Sequence, residues 1–217
     1  MRSRLTIAVL TGQRPELLAR TLSSFVRHQG AIWGDAVRVV VHNSGDEATA
    51  EVLSEYEWHV ERTIIGELLS IGEASAHLLE LVGEADSTYV LRLEDDWQVD
   101  ATPFFDDSVR LLEDVGQVRL RKFHEPVLTS HRITKKPIRW VKHETGHYVT
   151  ESAHYTHNPA LMRTWDAVAL GPYSDELHAS RKFVEAGWAS AQHLPGAFRH
   201  LGDRKAGLSL KWREADS

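Results

Sequence analysis

Three consecutive acids close an apolar run at residues 88–97, TYVLRLEDDW, in which Tyr89, Val90, Leu91 and Leu93 lead into Glu94, Asp95 and Asp96. In an α/β protein, a strand that delivers carboxylates at its C-terminal end sets them where ligands bind, and adjacent hard oxygen donors suit Mg²⁺ or Mn²⁺. A solvated acidic turn would carry the same residues. A second acidic pair, Asp175 and Glu176, opens a helix-like stretch. N-capping would account for one of these acids, and a helix N-terminus also favours the ionised carboxylate that a general base needs at neutral pH.

Two polar turns accompany these acids. Thr11, Gly12, Gln13 and Arg14 follow the first apolar run and could offer backbone and a cationic side chain to a nucleotide. His42, Asn43, Ser44, Gly45 and Asp46 follow the second, where Asn43 and Asp46 could touch a ligand or simply cap the turn. Of the 13 histidines, His143 with His147 and His154 with His157 have spacings that could bind a metal on a helix. Gly146 and Pro159 make those segments poor helices, so no zinc site is expected there. His200 lies in a polar tail able to fold back over a sheet edge.

The elements that must position these groups follow from hydrophobic periodicity. Leu5–Leu10 reads as a buried strand, followed by a helix that Pro15 starts and that turns Leu17, Leu18, Thr21, Leu22, Phe25 and Val26 inward. Val37–Val41 repeats the strand, and Asp46 can cap a helix reaching Tyr56. Thr63–Ile65 is a third strand. The stretch IGEASAHLLELV then places Ile71, Ala74, Leu78, Leu81 and Val82 on one helical face and feeds the acidic strand. Three strand-helix alternations predict an α/β fold: a single Rossmann-like domain with a mostly parallel central sheet flanked by helices on both faces.

Beyond the acids the pattern predicts a short helix begun by Pro103 and a strand in QVRLRKF with one wet face. From His124 to about Thr150 the periodicity weakens into a long excursion. A helix beginning at Pro159, a second capped by Ser174, a strand within Trp188–Leu194 and an irregular tail complete the reading.

At 217 residues the chain fits one domain, and 42% hydrophobic with 26% charged residues describes a folded protein rather than a disordered one. The absence of cysteine excludes disulfides, thiolate zinc sites and a cysteine nucleophile. No apolar stretch approaches a membrane span, and the apolar run after the basic start is too short for a signal peptide, so a cytoplasmic protein without stable membrane insertion is expected. The formal net charge of -6 is unevenly spread, because Arg119 to Lys142 holds eight basic residues against one acid, Glu125. That segment would be a positive region on an otherwise acidic surface.

Taken in order, these features resemble the nucleotide-sugar-dependent glycosyltransferases of the GT-A fold, particularly the inverting family 2. TIAVLTGQRPELLARTLSSFVRHQ is similar to that family's opening strand and helix, and HNSGDEATAEVL to its second strand turn. LEDDW is similar to its D-x-D element, in the E-D-D form found in N-acetylglucosaminyltransferase I; SDELHASRKFVEAGW resembles its acidic helix, and FRHLGD its closing histidine motif. The resemblance implies residues 1–100 as the nucleotide-sugar-binding half and 101–217 as the acceptor-binding half. It implies that Thr11, Gln13 and Asn43 line the base pocket, with Arg14, Asp46, Glu94 and Asp95 also on the donor side. Glu94 would face the ribose, whereas alternation along a strand turns Asp95 toward the opposite face. Asp96 and His200 would hold Mn²⁺ or Mg²⁺, the metal would hold the donor diphosphate, and Asp175 would be the base. The sequence departs from the family pattern at His42 and Asn43, where two acids are usual, and at Ser174, where Glu is. It also carries an extra residue between Arg181 and Gly187, which keeps Glu176 as a rival base.

The implied activity is a metal-dependent, inverting transfer from a nucleoside-diphosphate sugar, UDP-sugar foremost, to an acceptor hydroxyl. Lys122, Arg132, Lys135, Lys136, Arg139 and Trp140 point to an anionic acceptor. Nucleic acid carrying a hydroxymethylated base, or an anionic lipid or polysaccharide, would fit. The same basic residues would serve a lid over the donor diphosphate, and a non-catalytic nucleotide- or nucleic-acid-binding module would share the fold.

Overall fold

The computed structural model describes residues 5–65, 68–122, 139–150, 155–157 and 159–201. In chain order the elements are β1 (Leu5–Thr11), α1 (Pro15–Asp35), β2 (Val37–Ser44), α2 (Glu47–Ser54), β3 (Val60–Ile65), α3 (Ile71–Glu84) and β4 (Tyr89–Glu94). There follow β5 (Trp97–Val99), α4 (Phe105–Leu111), β6 (Gln117–Arg119), β7 (Trp140–Lys142), β8 (Tyr148–Thr150) and β9 (Ala160–Arg163). The series ends with α5 (Thr164–Leu170), α6 (Glu176–Glu185), β10 (Ser190–Gln192) and β11 (Phe198–His200).

Among the described residues, nine strands form one sheet in the order β3-β2-β1-β4-β9-β6-β10-β8-β7. From β3 to β4 every pairing is parallel, as the strand-helix alternation requires. Beyond β4 the sheet is mixed: β9 runs antiparallel to both β4 and β6, while β10 is parallel to β6 and β8 antiparallel to β10. Because β9 reverses twice, the C-terminal ends of β4, β6 and β10 share one edge. Among the described residues no helix is long and apolar enough to cross a membrane.

All seven residues of β1 are buried, because helices cover both faces of the sheet. Ile7 and Val9 join one core with Leu18, Leu22, Phe25, Leu91 and Leu93; Ala8 and Leu10 join the other with Leu78, Leu81 and Phe183. The helix capped by Asp46 ends at Ser54, not Tyr56, and its cap is built as expected, with Asp46 Oδ1 accepting from the Thr49 amide at 2.9 Å. That bond, with those from His42 and Ser44, outweighs burial and holds the Asp46 carboxyl below its usual range. A group lowered in the folded state stabilises the protein above its unfolded pKa and loses that contribution as pH falls through the folded one. Asp46→Ala is accordingly expected to cost about 1 kcal/mol in urea unfolding at pH 7. The deficit should shrink as pH falls below 3.8, the ordinary value, toward the lowered folded one; a pH-independent deficit would assign the loss to packing.

The structure corrects several expectations. Ala160–Arg163 is a strand, and the helix begins at Thr164 rather than Pro159. Four apolar-leaning residues fit either element by periodicity, and the vacant position between β4 and β6 decides. QVR has no wet face, since Gln117 and Arg119 are 1% and 5% exposed. Asp175, not Ser174, caps α6. His42, Asn43 and Ser44 belong to β2 instead of a turn, and the tail returns as β11 against β5. His143 and His147 flank a hairpin turn, with Gly146 at φ +83 and its amide bonded to the His143 carbonyl at 2.9 Å.

Candidate active site

The acidic strand end divides into three differently used carboxylates. Glu94, the last residue of β4, is half-buried and faces the α3 side with Arg92. Burial, then the nearby Asp96 charge, pushes its carboxyl up to about 8. Asp95 turns the other way and is fully buried; it accepts from Thr11 Oγ1 at 3.0 Å and the Gly12 amide at 3.1 Å, and pairs with Arg14. Its carboxylate fastens the β1-α1 turn, on the face opposite Glu94 as alternation along the strand predicts. Thr21 reinforces this joint by donating to the Asp95 carbonyl at 2.8 Å.

Asp96 lies just past the strand and meets the returning tail. His200 Nε2 stands 3.2 Å from Asp96 Oδ2, and the Leu201 amide donates to the Asp96 carbonyl at 2.7 Å. The Trp97 ring packs edge-on against His200 at 4.9 Å. Gly196 makes this return possible, since its φ is +78 and a Cβ there would lie 2.3 Å from the Arg121 carbonyl oxygen. Arg14 also bonds Asp96 Oδ2, at 2.9 Å. Burial disfavours the Asp96 charge, yet His200 and Arg14 overcome it and hold the carboxyl low. Oδ1 of Asp96 is buried without a hydrogen-bond partner among the described residues. An ionised carboxylate with a spare oxygen beside an imidazole is a donor set that fits Mn²⁺ or Mg²⁺.

Glu94 gives a test by pH. A carboxyl raised in the folded state keeps its proton from about pH 4.5, its ordinary value, up to about 8, while the unfolded chain has released it. Stability contributed by this group therefore falls as pH rises through that window. In metal-free protein, the loss of unfolding free energy between pH 5 and pH 8 is expected to be smaller for Glu94→Gln than for wild type. Equal slopes would contradict the raised value.

The other residues expected on the donor side are largely engaged in structure. Asn43 is buried and spends both ends of its amide on the Leu69 backbone, at 2.9 and 3.0 Å, tethering the loop before α3. The Thr11 hydroxyl serves Asp95, Asp46 caps α2, and Arg14 is buried between two acids rather than presented to a phosphate. Gln13 alone of this group is exposed.

At the head of α6 the two acids separate. Asp175 is exposed and its Oδ1 accepts from the His178 amide at 2.7 Å. Glu176 is half-buried; Oε1 accepts from the His157 amide at 3.1 Å, and the carboxylate attracts Arg119 of β6. The loop leading to this pair is held against α3, because a Cβ on Gly72 would lie 1.9 Å from the Ser174 carbonyl oxygen. Glu176 thus reaches the sheet side that also carries Glu94 and Arg92, while Asp175 is occupied in capping.

Of the basic residues, Arg132, Lys135 and Lys136 lie outside the described residues. Lys122 pairs with Asp100, and Arg139 is exposed beside Trp140 on β7, five strands along the sheet from β4. Arg92 had no role in the sequence reading, Arg119 was counted only in the basic segment, and His157 was weighed only as a metal spacing with His154; all three are buried. The available signal was a charged residue inside each of two apolar strands. Asp107, His147 and His193 also bring ligand atoms within 4.8 Å of one another. The Leu194 amide donates to His147 Nδ1 at 3.0 Å, so the neutral ring carries its proton on Nε2, facing Asp107, and offers no lone pair there.

No protein-family model matches the sequence, and no curated protein does. Solved structures do match. The mannosyltransferase PcManGT from Pyrobaculum calidifontis, in complex with GDP-Man and Mn²⁺, has a TM-score of 0.62 at 16% identity, with 100% of this chain and 61% of that chain covered. S. aureus TarS 1-349 in complex with UDP-GlcNAc gives 0.61 at 11% identity, with 93% and 59% covered. A second S. aureus TarS structure gives 0.63 at 12%, with 92% and 37% covered. The fold is a GT-A-like glycosyltransferase fold. This chain spans about 60% or less of the length of those structures.

Proposed function

We propose that the protein is a metal-dependent, inverting glycosyltransferase that moves a sugar from a nucleoside-diphosphate sugar to an acceptor hydroxyl. The observation that carries this reading is the meeting of Asp96 and His200 at 3.2 Å on the sheet edge toward which Glu176 also reaches. Mn²⁺ or Mg²⁺ held by Asp96 and His200 would neutralise charge on the departing nucleoside diphosphate. Glu176 would take the acceptor proton. Matching Asp175-Glu176, in place of Ser174-Asp175, to the acidic pair of the resembled motif restores the spacing of that pair to Gly187, while the extra residue between Arg181 and Gly187 stays. Exposed Gln13 is the free side chain for the base side, and UDP-sugars are the first donors to try.

The reading is tested by thermal unfolding with UDP- and GDP-sugars in the presence of Mn²⁺ or Mg²⁺, followed by mass spectrometry of acceptors incubated with any stabilising donor. Metal-dependent stabilisation and a mass increase of one sugar are expected. A protein that no donor stabilises would be left with the fold and not the activity. For the acceptor we retain an anionic molecule, hydroxymethylated DNA among the candidates. Duplex binding that does not weaken between low and moderate salt would remove DNA.

A further inference from the structure

The sheet face beneath Glu176 carries two buried guanidinium groups with no carboxylate bonded to either among the described residues. Arg92 of β4 and Arg119 of β6 are both paired in register with Ala160 of β9, so the three form one row across the sheet with the smallest side chain in the middle. Arg92 is bonded only to hydroxyls: Ser75 at 2.6 Å, Tyr155 at 3.2 Å and Tyr173. Arg119 is 5% exposed, and no hydrogen bond or ion pair reaches its guanidinium among the described residues. Its Nε is sealed from solvent without a partner, whereas its Nη atoms are not among the sealed groups.

Burying an uncompensated cation is costly, and a fold that needed only structure would place an apolar residue here. The charges within range offset these cations only in part: Glu94 attracts Arg92 through space without bonding to it. Glu176 attracts Arg119 without bonding to it, Arg121 adds positive charge, and the ring of His157 is kept neutral by burial and by Arg92. Two strand spacings, about 10 Å, separate Arg119 from β4. A donor diphosphate held at Asp96, past the end of β4, would lie across β9 from it. A planar guanidinium presents paired donors that match phosphate or carboxylate oxygens.

We propose that Arg119, with Arg92 beside it, binds an anionic group, phosphate or carboxylate, carried by the acceptor whose hydroxyl faces Glu176. This rests on the glycosyltransferase reading for the word acceptor, but the anion site itself does not. Arg119 is then a substrate-recognition residue that selects negatively charged acceptors, and its charge is held at the expense of stability in the free protein.

The test is thermal unfolding at constant ionic strength with sulfate, as a phosphate surrogate, and separately with acetate, both with Mn²⁺ and UDP present. Millimolar sulfate or acetate is expected to raise the wild-type midpoint, and whichever acts more strongly names the group. Arg119→Gln should lose that response and should unfold at or above the wild-type temperature without anion. If Arg119→Gln does not fold, Arg119→Lys serves: it keeps the charge without the fork and should bind the anion at least several-fold more weakly. Equal anion responses in wild type and variant, or a wild type that neither anion stabilises, would overturn the proposal. If UDP and GDP with Mn²⁺ fail to stabilise wild type while the anion response is present and depends on Arg119, the glycosyltransferase reading fails and the anion site stands.

Discussion

Asp96→Ala is expected to reduce metal-dependent turnover of the donor on the order of a thousandfold, the loss that follows from several kcal/mol of charge stabilisation at a leaving diphosphate. The variant should also lose the stabilisation that Mn²⁺ with nucleotide gives wild type. The fold should survive, because Arg14 keeps its pairing with Asp95 and the β1-α1 joint does not depend on Asp96. His200→Ala should act in the same direction with a smaller effect, since the carboxylate carries the charge and the imidazole only completes the donor set. Initial rates at several Mn²⁺ concentrations check both. An Asp96→Ala enzyme with wild-type metal dependence would move the metal elsewhere.

The second large effect separates the two acids of α6. Glu176→Gln is expected to lower kcat by about 10²- to 10⁴-fold, the range of a positioned general base, with little change in stability. Asp175→Ala should instead cost about 1 kcal/mol in denaturant unfolding, the loss of an N-cap, and leave kcat within a few-fold. The contrast follows from direction: the Asp175 carboxylate caps its own helix, and Glu176 reaches the row of buried cations. A reversed pattern, with Asp175 controlling kcat, would restore the assignment that the motif suggested when matched from Ser174.

Much of the first half of the fold was legible because each signal there is local. Pro15 starts α1, Asp46 caps α2, and Ser70 with Glu73 forms a full capping box ahead of α3. The apolar runs of β1, β2 and β4 admit only a sheet buried on both faces. The second half is built of three- and four-residue strands, too short for a period to emerge. Whether Ala160–Arg163 is strand or helix depends on the gap between β4 and β6, which no residue of that segment encodes.

The candidate site divides in the same way. The chain by itself determined that carboxylates end β4, that acids open α6 and that a histidine lies near the close, because residue identity and the alternation of strand and helix fix which edge they reach. Only the tertiary structure decided how they are used. It brought Asp96 and His200 together across 104 positions, turned Asp95 into the joint under Arg14, gave Asp175 to capping and Glu176 to the sheet, and set Arg92 and Arg119 in one row. The physical reason is that a side chain's type states what it can bond, while its partners are set by burial and by strands that meet from distant parts of the chain.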